Sequence, residues 1–122
     1  MDISLEEFEK LVVNAVAQLP ENIQKAVKNT AIVVEEGKPN GPLFGLYQGV
    51  PQNVWGKGEM AHLPDKITIF KKPIEAQSHG LKDLENLVRM VVWHEIAHYL
   101  GFNEKDTRRL EKKWMKYSAL DI

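Results

Sequence analysis

The chain contains no cysteine. That excludes a disulfide framework and any metal site built on thiolates, and it fits a reducing compartment. There is no excess of either charge: 16 Lys and Arg stand against 17 Asp and Glu, for a net charge of −1. Such a surface lacks the basic footprint that nucleic acid or an anionic membrane selects. No apolar run approaches the roughly 18 residues that a membrane span requires. The first dozen residues are acidic and carry no basic-then-apolar leader. The expectation is a soluble, cytoplasmic protein with no nucleic-acid or membrane partner. Repeats and low-complexity tracts are also missing from the 122 residues, a length that supports one core rather than two.

What is present is a clear alternation of helical and extended patterns. Ser4 and Glu7 form a capping-box pair, with Ile3 and Phe8 at the staple positions. Leu5, Phe8, Val12, Ala15, Val16 and Leu19 then recur at helical spacing until Pro20. A shorter helix is predicted from Glu21 to Lys28, with Ile23 and Val27 inward. Ala31 to Glu35 and Leu43 to Gln48 read as strands separated by the turn-rich Gly37-Lys38-Pro39-Asn40-Gly41-Pro42. Gly49 to Asp65 reads as a long loop, and Lys66 to Lys71 as a third strand with Ile67 and Ile69 on one face. A short helix from Pro73 to Ser78 precedes the strongest helix of the chain, Leu81 to Leu100, which Gly101 terminates. Asn103 caps a last helix from Glu104 to about Tyr117, with Leu110, Trp114 and Tyr117 on its buried stripe. Strands grouped between helices predict an α+β fold: a twisted sheet of three or four strands packed on the long helix, with the N-terminal helix also on the sheet.

The chemistry concentrates in His94-Glu95-Ile96-Ala97-His98, inside that long helix. Residues four apart share a helix face, so the two imidazoles can hold one metal ion. Glu95 is turned about 100° from His94. That aims it at a metal-bound water and makes it the candidate general base. Leu84, Leu87, Val91, His94 and His98 follow a single stripe, which predicts that both histidines continue the core-facing side. Histidines there need partners for their nitrogens. A catalytic zinc takes three protein ligands and an open position. After the Gly101 turn the first acidic residue is Glu104, which completes His-Glu-x-x-His-x-x-Gly-x-x-Glu. Asp106 is an alternative third ligand, and His62 and His79 are weaker ones. The expected cofactor is one zinc ion.

From Phe44 to Leu110 the chain resembles the small bacterial zincin-like proteins, a family described as minimal zinc metallopeptidases. The resemblance lies in Gly45-Leu46-Tyr47-Gln48-Gly49-Val50-Pro51, in Leu63-Pro64-Asp65-Lys66-Ile67-Thr68-Ile69-Phe70, and in His94-Glu95-Ile96-Ala97-His98-Tyr99-Leu100-Gly101 with Arg108-Arg109-Leu110 downstream. It implies a minimal zincin-like core. Family members usually carry Asp where this chain has Glu104, which is one methylene longer.

The reading that follows is a metallopeptidase acting on a peptide or protein substrate. Glu95 takes the proton from water and delivers it to the leaving amine. Tyr47, Arg108 and Arg109 are the candidate donors to the developing oxyanion. Met115 falls within the last helix and is not read as a Met-turn, so the cleft is expected to be one-sided and open. Two other classes share parts of the pattern. A metal-dependent ribonuclease uses a similar histidine frame, but without the acid beside the first histidine and with a basic surface. A metal-stabilised binding module would have the ligands without turnover.

Overall fold

A computed structural model describes residues 2–49 and 65–120, with side chains as far as residue 116. The interior of the expected 49–65 loop, His62 within it, and the Tyr117 side chain lie outside the described residues. In chain order the elements are α1 (Leu5–Ala17), α2 (Glu21–Ala26), β1 (Ala31–Glu35), β2 (Gly45–Gln48), β3 (Lys66–Phe70), α3 (Lys71–Gln77), α4 (Leu81–Tyr99) and α5 (Glu104–Leu120). The fold is α+β.

Local signals in the sequence account for most element ends. The Ser4 side chain accepts the Glu7 N–H at 3.1 Å, and Glu7 Oε1 accepts the Ser4 N–H at 3.3 Å. This reciprocal cap is worth about 1 kcal/mol. Asn103 Oδ1 accepts the Asp106 N–H at 2.8 Å and starts α5. Between α4 and α5, Gly101 takes φ 92°, a left-handed conformation that glycine adopts without penalty. Its N–H donates to the His98 carbonyl at 2.9 Å, and the Phe102 N–H donates to the Ala97 carbonyl at 3.1 Å. Those two bonds are a Schellman termination, and they turn the chain back sharply.

β3 is the central strand. It runs parallel to β1, with Ile32 opposite Ile67, and antiparallel to β2, with Tyr47 opposite Ile67. The Phe70 N–H donates to the Phe44 carbonyl at 2.9 Å. In an antiparallel ladder the bonded pairs alternate, so Phe44, Leu46 and Gln48 turn their backbone groups toward β3. Gly45 and Tyr47 turn theirs to the outer edge, where no described strand pairs.

Ile67 and Ile69 share one buried cluster with Val88, Val92 and Ile96 of α4. Full burial of each such side chain contributes about 1.5–3 kcal/mol. α4 is the spine of this core. The Trp93 indole N–H donates to the Ala15 carbonyl of α1 at 2.8 Å, and the Trp93 ring meets Trp114 of α5 edge-on, centroids 6.1 Å apart. α1 therefore packs chiefly on α4, not on the sheet as its amphipathicity suggested. One apolar face cannot reveal which neighbour covers it.

Two further expectations shift. The centre of the buried arc on α4 runs through Leu84, Val88, Val92, Ile96 and Tyr99. His94 and His98 lie at its margin, with side chains 33% and 36% exposed, roughly a third of a turn away at 100° per residue. α4 is covered from several sides, so its apolar residues outline more than one stripe. The second shift is at α3, which begins at Lys71 directly after β3, ahead of the expected start at Pro73. Pro73 is its third residue, where the missing N–H would have had no helical partner.

Lys71 itself is 4% exposed. Its ammonium donates to Glu75 Oε1 at 2.9 Å and lies 3.7 Å from Asp2 and 4.0 Å from Glu36. Glu75 Oε2 also accepts the Ile3 N–H at 2.7 Å, tying the segment before α1 to α3. Burial pulls the Lys71 pKa down, but the hydrogen bond and charge of Glu75, with the charges of Glu36 and Asp2, outweigh it and leave the value raised. Among the described residues, no helix is long and apolar enough to cross a membrane.

Candidate metal centre

One turn of α4 separates His94 from His98, and the Gly101 turn brings the first residue of α5 back beside them. His98 Nε2 lies 3.0 Å from His94 Nε2 and 3.0 Å from Glu104 Oε1, and His94 Nε2 lies 3.5 Å from the same oxygen. Ligand atoms about 2.0–2.1 Å from a tetrahedral zinc are about 3.3 Å apart. The three separations bracket that value. The donor set also fits: two imidazoles and a carboxylate present lone pairs to a common point, which is repulsive unless a cation or proton lies between them. Imidazole and carboxylate with no thiolate is a set that zinc accepts.

Among the described residues, these are the three that come together as a group able to hold a metal. Asp106 and His79 lie outside it. Asp106 is half-buried in the first turn of α5, and His79 is exposed, its backbone N–H donating to Asp83 at 2.8 Å. Glu104 is exposed. The first turn of a helix suits an acid in any case, but its carboxylate also reaches the imidazoles.

Glu95 stands beside this group and not within it. It is half-buried, and the Tyr47 backbone N–H donates to its carboxylate. Burial pushes its pKa up, while the two histidines and the Tyr47 N–H pull it partly back; the nearby Glu104 charge adds to the rise. The closeness of β2 depends on Gly45. A Cβ there would lie 2.9 Å from Glu95 Cγ and from Val91 Cγ1. With any larger residue at this position, the Val91 and Glu95 side chains or the strand itself would have to shift where β2 meets α4.

The three candidate donors fare differently. The Tyr47 hydroxyl donates to Asp65 Oδ1 at 3.0 Å, and the ring packs edge-on against Tyr99, centroids 5.8 Å apart. Burial first, then the Asp65 hydrogen bond and charge, push its pKa well up. Tyr47 thus touches the site through its backbone, and its hydroxyl is committed elsewhere. Arg108 and Arg109 are exposed on α5 and make no hydrogen bond or ion pair with a described residue. Arg108 lies four residues after Glu104 and so shares its face; Arg109 does not.

One side chain at the site escaped the sequence reading. Glu111 Oε1 lies 3.0 Å from His94 Nδ1, on the opposite side of the ring from the donor group. The signal was its place seven residues after Glu104, which puts both on one face of α5. Beside His94, Glu95 and Glu111 opens a groove of about 420 Å³, whose other walls are largely apolar: Pro42, Leu43, Phe44, Leu87, Met90 and Val91. Leu43 and Met90 are large apolar side chains left 46% and 50% exposed there.

A family model described as zincin-like metallopeptidase matches residues 21–114. No curated protein matches the chain. A solved structure, a conserved hypothetical protein from T. thermophilus, is similar with a TM-score of 0.54 and 23% identity. The match covers 87% of this chain and 99% of that one, and at such identity it speaks for the fold.

Proposed function

Because the chain belongs to the zincin-like metallopeptidase family, we propose that it hydrolyses peptide bonds, holding one zinc ion on His94, His98 and Glu104. The observation that carries this reading is the convergence of those three donor atoms beside a half-buried carboxylate that is not one of them. When bound, the ion supplies Lewis acidity, polarising a carbonyl and making water more acidic. Glu95 is the general base. Its raised proton affinity suits a group that takes a proton from the attacking water and returns it to the leaving amine. The Tyr47 N–H holds that carboxylate in place from the strand side.

Two features support a peptide as substrate. The outer edge of β2 offers the backbone groups of Gly45 and the Tyr47 carbonyl to an extended chain, a common mode of peptide recognition. The apolar groove shares His94 and Glu95 with the site and is large enough for a bulky apolar side chain next to the reacting bond. Of the donors to the oxyanion, Arg108 is favoured over Tyr47 and Arg109: it shares the α5 face of Glu104, and the Tyr47 hydroxyl is held by Asp65.

The test is cleavage of a mixed peptide set and of a denatured protein by zinc-loaded wild type and by Glu95→Gln. Cleavage by wild type alone supports the reading. If zinc-loaded wild type cleaves neither, a metal-stabilised binding module replaces it.

A further inference from the structure

We propose that Glu111 is a positioning residue of the metal centre: through His94 Nδ1 it fixes the imidazole in the tautomer whose Nε2 lone pair faces His98 and Glu104. This rests on the metal reading of the site, but not on peptide hydrolysis, and it holds equally for a module without turnover.

A neutral imidazole carries one N–H, and the partner of one nitrogen decides the state of the other. An ionised carboxylate only accepts. With Glu111 Oε1 3.0 Å from Nδ1, the proton of neutral His94 belongs on Nδ1. Its Nε2 is then a lone pair, 3.0 Å from His98 Nε2 and 3.5 Å from Glu104 Oε1. Carboxylates placed this way behind a ligand histidine hold the ring's orientation and increase its basicity toward the metal.

The two histidines are not equivalent in this respect. His94 is engaged at both nitrogens, whereas the partners of His98 among the described residues all meet its Nε2. Glu111 is also unusual for its helix. α5 carries Arg108, Arg109, Lys112, Lys113 and Lys116, yet among the described residues the ion-pair partner of Glu111 is His94. Its side chain is only 20% exposed, a position that is costly for a carboxylate without a bonded partner. The helix geometry explains how one element does both jobs. Glu104 and Glu111 are two turns apart on one face, about 10.5 Å along the axis. Glu104 reaches the Nε2 side of His94 while Glu111 reaches the Nδ1 side. Trp114, buried against Trp93, holds that face onto α4.

Glu111 also borders the apolar groove, so a role as a substrate-contacting wall must be separated from a role toward His94. Zinc affinity measured by chelator competition, with no substrate present, does this. Nitrogen NMR of the His94 imidazole in zinc-free protein reads the tautomer directly. Glu111→Leu removes the acceptor at similar volume. It is expected to weaken zinc binding about 10–100-fold and to convert His94 from the Nδ1–H form to a mixture. Glu111→Gln keeps an acceptor oxygen and is expected to recover most of both properties. The proposal is overturned if Glu111→Leu binds zinc like wild type, if it loses affinity while the His94 tautomer stays unchanged, or if Glu111→Gln is as impaired as Glu111→Leu. Should Glu111→Leu fail to fold by circular dichroism, Glu111→Gln decides. Near-wild-type affinity with the Nδ1–H form retained supports the proposal, and a loss of tens-fold overturns it.

Discussion

Two clusters of charged side chains lie partly or wholly beneath the surface, and they are built to opposite rules. Around Lys71 the chain supplies its own cation. The ammonium sits among Glu75, Glu36 and Asp2, and the second oxygen of Glu75 takes a backbone N–H. Around His94 no lysine or arginine plays that part among the described residues. Glu95, Glu104 and Glu111 surround two imidazoles, and among the described residues no Lys or Arg pairs with any of the three carboxylates. In the first cluster the buried pair, Lys71 and Glu75, is complete in itself, which suits a brace. The second has negative charge and converging lone pairs that no Lys or Arg among the described residues pairs with, which suits a cation from solution. Exposure points the same way: Lys71 and Glu75 have side chains 5% exposed, whereas Glu104 is 61% exposed and open to solvent.

The contrast can be broken at four places. The largest effect is expected at Glu95, which the reading treats as a base and not a ligand. Glu95→Gln should lower peptide cleavage about 10²–10⁴-fold while titration calorimetry finds zinc affinity unchanged. If zinc is lost along with activity, Glu95 belongs to the ligand set and its separate role collapses.

Next comes the complete cluster. Lys71→Met leaves Glu75 buried without its cation and should destabilise the fold by about 3–5 kcal/mol in urea titration. Replacing Glu75 with Leu as well should restore most of that loss. The pH dependence has a definite sign. The native pKa of Lys71 is raised above its ordinary 10.5, so on alkalinisation the unfolded chain loses this proton first. The contribution of the pair is complete below that ordinary value and is lost as the pH rises through the raised one. A wild-type stability that does not fall there while Lys71→Met stays flat would remove the brace.

Zinc should act on the other cluster alone. Free zinc at a hundred times its Kd should stabilise the native state by about 2.7 kcal/mol, seen as a rise in Tm. His94→Ala should abolish the rise, and Lys71→Met should keep it. An equal response from all three proteins would mean zinc binds somewhere else.

The smallest effect sharpens the comparison at its far edge. Ser4→Ala removes the cap that steadies the segment joined to Glu75. About 1 kcal/mol of stability should be lost, with the zinc response untouched. Weaker zinc binding in this variant would show that the two clusters are coupled through the core.

How much of this was legible beforehand depended on whether a role was set by neighbours in sequence or in space. His94, His98 and Glu104 could be found because the α4 helix and the Gly101 turn are both short-range structures, and spacing alone carries the residues to one point. The Ser4 cap and the Asn103 start of α5 were readable for the same reason. Glu111 was not, because its role exists only once α5 lies against α4, and a helix pattern does not say which helix it will meet. Lys71 was hidden by its own type, since lysine is rarely buried, and two of its three acidic neighbours, Asp2 and Glu36, come from other segments of the chain. Tyr47 misled for a related reason: as a side chain it looked suited to the site, but the fold brings its backbone there and turns its hydroxyl to Asp65.

The Gly101–Asn103 elbow sets the phase of α5 as a keyway sets a shaft. Each residue along a helix advances the direction of its side chain by 100° and its position by 1.5 Å. One residue inserted into the elbow, or one deleted, would re-index everything after it. Glu104 and Glu111 ride on the same face, so they would swing away together, removing a carboxylate from each side of His94. Lengthening the elbow is therefore far from the tolerant kind of change that surface connections usually accept.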